Sequence, residues 1–183
     1  MGQLHLRITK RNGRWYSSEV DMLQVLGYGR YEFYLASRVD SIDKNVVVGL
    51  FVYQDDSNEI DIEFSRWGGL ATNSQYVVQP GPYTDRNLHR FNIQLHDNLS
   101  THDFEWTRTS INFRSLQGHD IEPSNPGCII AEWAYRGDHI PIPGKARLLI
   151  NLWVFHGSLP PDGREPELIL RQFRYHPEGS SIP

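Results

Sequence analysis

One short acidic segment carries the most concentrated chemistry in the sequence. Residues 58–64 read Asn-Glu-Ile-Asp-Ile-Glu-Phe, and the side chains of an extended strand point alternately to opposite faces. Glu59, Asp61 and Glu63 would therefore share one face, and no Lys or Arg between them balances their charge. Neighbouring carboxylates repel one another, so a chain that tolerates three of them is expected to use them, most simply for acid–base catalysis.

Two other interpretations of the acidic segment stay open at this point. Most acidic residues on antiparallel strands lie on a solvated outer face and have no chemical role. Clustered carboxylate oxygens also suit divalent cations such as calcium or manganese. The pattern by itself does not separate these alternatives from catalysis.

The elements that must position the acidic segment are all predicted to be strands. Residues 4–8 alternate strictly, and Asn12-Gly13 is a strong hairpin signal before a second strand at 14–26. Clusters of Gly, Pro, Asn and Asp separate the other predicted strands, as in sandwiches and barrels. These strands are 30–39, 44–53, 73–79, 88–95, 102–107, 111–116, 129–135, 147–155 and 167–175. No segment has the apolar spacing of a helix.

Two antiparallel sheets packed face to face would bury one side of each inner strand and leave the other side to water or ligand. In residues 147–155 the even positions are apolar, whereas Asn151 and Trp153 share the opposite face. In residues 15–23 the even positions include Val20 and Met22, which we expect on the core-like face, whereas Glu19 and Asp21 face away. Outward faces that mix aromatic and polar side chains are typical of a sugar-binding cleft, where rings stack on pyranose faces and polar groups bind hydroxyls.

The composition describes an ordinary globular chain. Its 183 residues are 39% hydrophobic and 22% charged, so we expect one domain spanning residues 1–183 with a well-formed core. A net charge of -4 without a basic run argues against nucleic acid as a partner. No apolar run is long enough for a membrane span, and none resembles a signal segment. The single cysteine, Cys128, cannot form an internal disulfide and is predicted to be a buried structural thiol.

Four motifs in order carry a resemblance to a known family. The segment 59–64 resembles the active-site signature of glycoside hydrolase family 16, the jelly-roll enzymes that include lichenases, laminarinases and xyloglucan transglycosylases. Residues 27–32 (GYGRYE), 102–106 (HDFEW) and 150–153 (INLW) resemble three further strands of that family. The resemblance implies an all-β fold: a β-sandwich jelly roll of two curved antiparallel sheets with a concave substrate cleft.

The resemblance also implies roles for individual residues. Glu59 would be the nucleophile, Glu63 the general acid/base, and Asp61 a hydrogen-bonding partner that tunes the charge of the nucleophile. We further expect the proton shared by the three carboxyls to reside mostly on Glu63. The cleft lining implied by the family comprises Glu19, Phe51, Tyr53, Gln75, Asn151 and Trp153.

The chain departs from the family pattern in several places. Asp21 stands where lichenases often have Arg, so one contact to substrate is expected to differ. Residues 154–157 stand where the family has a shorter Asn-Gly segment at the end of the matching strand. This difference could bring His156 to the rim of the cleft. Family members carry further residues before the stretch matched by residues 4–9, so the family's first strands are expected to be missing here.

The function implied is an endo-acting, retaining β-glucan hydrolase without a cofactor or metal, with a β-linked polysaccharide as its partner. We expect a monomer, and the family's polysaccharide substrates imply an extracellular location. A transglycosylase and a lectin-like sugar-binding sandwich without catalysis remain alternatives. Geometry is the main obstacle, because retaining glycosidases hold their carboxyls about 5–5.5 Å apart. Four residues of flat strand would separate the Cα atoms of Glu59 and Glu63 by about 13 Å, so both side chains must lean inward.

Overall fold

The computed structural model describes residues 2–119, 126–158 and 160–180. They form two six-stranded antiparallel sheets and a small two-stranded hairpin. The back sheet has the strand order β1, β14, β5, β10, β11, β12. Its strands are β1 (Leu4–Arg7), β5 (Gly29–Leu35), β10 (Ser100–Trp106), β11 (Ile111–Gln117), β12 (Ile129–Tyr135) and β14 (Glu167–Pro177).

The front sheet has the strand order β4, β13, β6, β7, β8, β9. Its strands are β4 (Ser18–Asp21), β6 (Val46–Asp55), β7 (Asn58–Phe64), β8 (Ser74–Val78), β9 (Leu88–Phe91) and β13 (Arg147–Val154). The remaining hairpin pairs β2 (Thr9–Arg11) with β3 (Arg14–Tyr16). The described residues contain no α-helix, only three short 3₁₀ turns at Val39–Ser41, Pro126–Cys128 and Phe155–Gly157. The predicted all-β jelly-roll sandwich is therefore confirmed.

The core lies between the inner faces of the two sheets. On β7, Ile60, Ile62 and Phe64 are completely buried, and burying one large apolar side chain contributes roughly 1.5–3 kcal/mol. The inner face of the back sheet is aromatic: the rings of Tyr31 and Phe104 stack with centroids 4.8 Å apart. Burial of alternate residues fixes the register of each inner strand, because a slip by one residue would turn every apolar side chain outward.

The N-terminal region differs from the prediction. Asn12 and Gly13 do form the tight turn, with φ of 50° and 77°, but the strand that returns from it is short. The predicted strand at 14–26 is divided into β3 and β4, and β1 pairs with β14 of the back sheet rather than with β3. Alternation predicts a strand, but it does not choose the partner, which is set by non-local packing.

Three smaller expectations were wrong. Val20, expected on the core-like face of its strand, is 39% exposed, because β4 is the edge strand of its sheet and edge strands are covered on fewer sides. Cys128, expected to be buried, lies half-buried in the 3₁₀ turn that precedes β12. The strand predicted at 88–95 is only the four residues of β9. No helix within the described ranges is long and apolar enough to span a membrane.

Candidate active site

Strand β7 holds the three carboxylates on the outer face of the front sheet. A four-residue turn joins it to β6, and the Asp55 carboxylate accepts hydrogen bonds from the backbone N–H of Ser57 and the side chain of Asn58. An Asp that bonds the backbone two residues onward stabilises a tight turn. This hairpin places Tyr53 directly opposite Glu59 and Phe51 opposite Asp61. The acidic face of β7 therefore adjoins an aromatic face on β6.

These side chains line one open cleft of about 350 Å³. Eight of the nine site residues expected from sequence contribute to its wall: Glu19, Phe51, Tyr53, Glu59, Asp61, Glu63, Asn151 and Trp153. The ninth, Gln75, lies beside the cleft and donates a hydrogen bond from Nε2 to Glu63 Oε2 at 2.5 Å. Alternation on β4, β6, β7 and β13 is what brings the eight residues to the same face.

One line of residues crosses the entire front sheet, each directly opposite the next on the neighbouring strand. We call it the Glu63 row, and it consists of Glu19, Asn151, Gly49, Glu63, Gln75 and Arg90. Asn151 Nδ2 donates to Glu19 Oε2 at 3.3 Å, and Arg90 Nε donates to Gln75 Oε1 at 3.2 Å. The row therefore consists of two hydrogen-bonded groups separated by a glycine.

Gly49 forms the floor of the cleft between those two groups. A Cβ atom at this position would lie 2.5 Å from Asn151 Oδ1 and 3.3 Å from Phe51 Cδ1. Only glycine allows the Asn151 side chain to approach the backbone this closely. Gly49 and Leu149 both line the cleft and were not expected from the sequence. A glycine inside a strand is a recognised sign of a close approach and could have indicated Gly49.

Burial and mutual repulsion raise the proton affinity of the Glu59–Asp61 pair. Burial raises the pKa of Glu59 to about 7, and the charge of Glu63 acts in the same direction. Burial also raises the pKa of Asp61 well above its usual range. A hydrogen bond between the two carboxyls lowers the pKa of Glu59 and raises that of Asp61. This hydrogen bond therefore favours the proton on Asp61 and the ionised form of Glu59.

Glu63 is in a different electrostatic setting. Burial raises its pKa, whereas the hydrogen bond from Gln75 and the positive charge of Arg90 lower it. These opposing causes leave the pKa of Glu63 raised, and the expectation that the shared proton resides mostly on Glu63 stays a prediction. Asp61, which is only 7% exposed and lies between two other carboxyls, is the group whose surroundings most favour protonation.

Two of the departures noted in the sequence have structural outcomes. Asp21 forms an ion pair with Arg147, at 2.8 Å between Oδ2 and Nη2, so the acid is partnered by a cation from β13. His156 is exposed, lies in the 3₁₀ turn after β13 with a φ of 49°, and does not contribute to the cleft wall. Its ring packs against Phe155, with centroids 4.0 Å apart.

No family model and no curated protein matches this chain. Several solved structures, however, are similar to this chain. A β-glucanase of Bacillus licheniformis is 20% identical, with a TM-score of 0.66 over 95% of this chain and 78% of that one. The Crh5 transglycosylase is 15% identical, with a TM-score of 0.66 over 96% of this chain and 72% of that one.

A third structure is described as an immunostimulatory antigen and pseudo β-1,3-glucanase of Mycobacterium tuberculosis. It is 18% identical, with a TM-score of 0.69 over 96% of this chain and 75% of that one. The resemblance to β-glucanases of glycoside hydrolase family 16 therefore holds across the whole fold. Since one protein with this fold is called a pseudo-glucanase, activity has to be argued from the site.

Proposed function

We propose that this protein is an endo-acting, retaining β-glucan hydrolase. The observation that carries the proposal is the set of three carboxyls on β7, which face one open cleft with aromatic walls. Phe51, Tyr53 and Trp153 offer rings on which apolar sugar faces can stack. A cleft that is open along the sheet admits the middle of a polysaccharide chain, which is what an endo-acting enzyme requires.

The proposed reaction has two steps. Ionised Glu59 attacks the anomeric carbon, and protonated Glu63 donates its proton to the departing glycosidic oxygen. Water then attacks the glycosyl–enzyme ester, and Glu63, now a carboxylate, takes the proton from that water. Asp61 holds Glu59 by its hydrogen bond and keeps the cluster at a lower total charge. No cofactor or metal takes part in these steps.

Replacing each glutamate by glutamine tests the assigned roles. Glu59→Gln and Glu63→Gln should each lower the rate of β-glucan hydrolysis by at least about 10²–10⁴-fold, the usual contribution of such groups. Glu132→Gln is the matched control, because Glu132 is an exposed glutamate on β12 of the back sheet. Thermal unfolding would verify that all three variants fold. Parental activity in either site variant would contradict the roles.

The products identify the substrate and the reaction. Purified protein would be incubated with lichenan, laminarin, xyloglucan and agarose, and the released oligosaccharides and their anomeric form identified by NMR and mass spectrometry. We expect shorter β-glucans with retained configuration. Elongated products would instead identify a transglycosylase, a possibility supported by the similarity in fold to Crh5. Sugar binding without cleavage, abolished by a chelator, would identify the lectin-like alternative.

A further inference from the structure

Arg90 is connected to Glu63 through a single amide group. It lies on β9, the edge strand of the front sheet, and its Nε–H donates to Gln75 Oε1 at 3.2 Å. Gln75 Nε2 in turn donates to Glu63 Oε2. The three residues are directly opposite one another on adjacent strands, so the backbone ladder itself places the three side chains in line.

The chemistry of arginine decides which way the Gln75 amide faces. A guanidinium group has only donors, so Gln75 must turn its oxygen toward Arg90 and its NH₂ group toward Glu63. An NH₂ donor favours the ionised form of a carboxyl group. Without Arg90 the amide could turn over and present its oxygen, which would accept a hydrogen bond from protonated Glu63 and favour the opposite protonation state. Gln75 is 8% exposed, so water competes little for this choice.

Arg90 is held in place by the segment that follows the acidic strand. Its guanidinium lies over the ring of Trp67, 5.6 Å from the centroid. Trp67 has a φ of 40°, and its backbone N–H donates to the hydroxyl of Ser65 at 2.9 Å. The chain therefore turns back just after β7 and places an aromatic ring beneath Arg90. Such a cation–π contact attracts the guanidinium to the face of the ring and reduces the freedom of an exposed side chain.

The groups facing Glu63 from the surrounding strands are few. Asp61 and Glu59 lie on its own strand, β4 contributes Glu19, β6 contributes Tyr53, and β9 contributes Arg90. Asp21 and Arg147 line a neighbouring pocket that does not include Glu63. Arg147 is paired with Asp21. Arg90 is the cation that lowers the pKa of Glu63.

We propose that Arg90 is a positioning residue that orients the Gln75 amide and thereby sets the proton affinity of Glu63. The consequence for catalysis rests on the function proposed above, in which Glu63 must give up its proton in the first step and regain one in the second. Burial by itself would hold the proton too firmly for the first of these transfers. The Arg90–Gln75 pair opposes burial, so that Glu63 can exchange its proton near neutral pH.

A double-mutant cycle tests the inference, with Arg90→Met, Gln75→Leu and the combined variant. The direct measurement is an NMR pH titration of ¹³C-labelled glutamate carboxyls, with the Glu63 signal assigned from Glu63→Gln. Arg90→Met should raise the pKa of Glu63 by about half a unit or more, since an opposite charge and a donor are both lost. In the Gln75→Leu background the same change should have little further effect, because the mediating amide is gone.

Enzyme kinetics give the second measurement. The alkaline limb of the kcat/KM profile reports the loss of the proton from the acid, so Arg90→Met should move that limb to higher pH by the same amount. Arg90→Lys keeps the charge without the planar Nε–H and should recover only part of the wild-type position. Arg171→Gln, an exposed arginine on β14 of the back sheet, is the matched control and should leave the limb unchanged.

The outcomes separate the inference from the proposed function. An unchanged pKa of Glu63 in a folded Arg90→Met variant would overturn the inference, whether or not the protein hydrolyses glucan. An equal shift with and without Gln75 would also overturn it, because the charge would then act through space. If the wild-type protein shows no activity, the proposed function fails, and the NMR titration still decides the role of Arg90.

Discussion

Asp61 determines the electrostatic state of the candidate site at the scale of single residues. It lies between Glu59 and Glu63 on the same face of β7, and it is almost completely buried. Burial in the first place, and the two neighbouring carboxylates in the second, raise its pKa. A protonated Asp61 donates a hydrogen bond to Glu59 and removes one negative charge from the cluster, which allows the other two carboxyls to remain close together.

A protonated Asp61 should make the free energy of unfolding depend on pH. The pKa of Asp61 is higher in the folded than in the unfolded protein, so the folded state is favoured at low pH and loses that advantage as pH rises through the folded pKa. Asp61→Asn should therefore stabilise the protein at pH 8 by about 1–2 kcal/mol and much less at pH 4. Thermal or urea unfolding at the two pH values measures the difference.

The control for this experiment is Asp162→Asn, since the side chain of Asp162 is half exposed. Its effect on stability should be small at both pH values. Equal stabilisation by Asp61→Asn at pH 4 and pH 8 would contradict a protonated Asp61. Asparagine retains a donor toward Glu59, so this variant should also keep more hydrolytic activity than Asp61→Ala.

At the scale of elements, the Glu63 row shows that neighbouring strands together form the floor of the cleft. Strand β6 leaves a gap in the row at Gly49, and β13 fills part of the space with Asn151. The amide of Asn151 bonds Glu19 on the edge strand β4. The cleft floor therefore depends on a residue without a side chain inside a ten-residue strand, where a β-branched residue would suit the sheet better.

Gly49→Ala should change substrate binding more than folding. The new methyl group would displace the Asn151 side chain from its position beside the backbone, because their separation would otherwise be 2.5 Å. We expect KM to rise several-fold, equivalent to about 1 kcal/mol, with kcat changed much less. Steady-state kinetics on the substrate identified above would measure this.

Asn151→Ala supplies the matched background for the glycine variant. If the methyl group acts by displacing Asn151, Gly49→Ala should add little to the effect of Asn151→Ala. Full additivity of the two changes would show that Gly49 acts by another route.

At the scale of the whole molecule, a continuous aromatic core holds the front sheet in place. Tyr76 of β8 is completely buried, stacks on Phe113 of β11 with centroids 4.8 Å apart, and donates from its hydroxyl to Ser115 Oγ at 2.7 Å. It is adjacent in sequence to Gln75. The inner face of β8 therefore packs into the core between the two sheets. Its outer face contributes Gln75 to the candidate site.

Truncating a side chain at the centre of this core should strongly lower the free energy of unfolding. Phe104 is completely buried and packs against Tyr31, Phe33 and Phe113, so Phe104→Ala is expected to lower the free energy of unfolding by about 3–5 kcal/mol. Tyr16→Ala, at a half-exposed site on β3, should lower it by less than about 1 kcal/mol. Urea denaturation measures both. A similar loss in the two variants would contradict a core centred between the sheets.

The sequence by itself determined which residues share a face. Alternation on the strands of Glu59 and Asn151 predicted outward faces that line a cleft, the family resemblance implied that Phe51 joins them, and the structure brings these side chains together. This success has a local cause, because successive side chains of a strand must point to opposite sides. The same rule places Ile60, Ile62 and Phe64 on the opposite face of β7, where they are completely buried.

Only the tertiary structure decided how the strands pair and how burial and neighbouring charges change the proton affinity of each carboxyl. The transfer of β1 to the back sheet, the position of Arg90 opposite Gln75 and the close approach of Asn151 to Gly49 all depend on register between strands distant in sequence. Proton affinity depends on burial and on charges from those same strands, so alternation alone could not show that burial raises the pKa of both Asp61 and Glu63. Alternation along a chain is a local property of the backbone, whereas pairing and burial arise only when separate segments pack together.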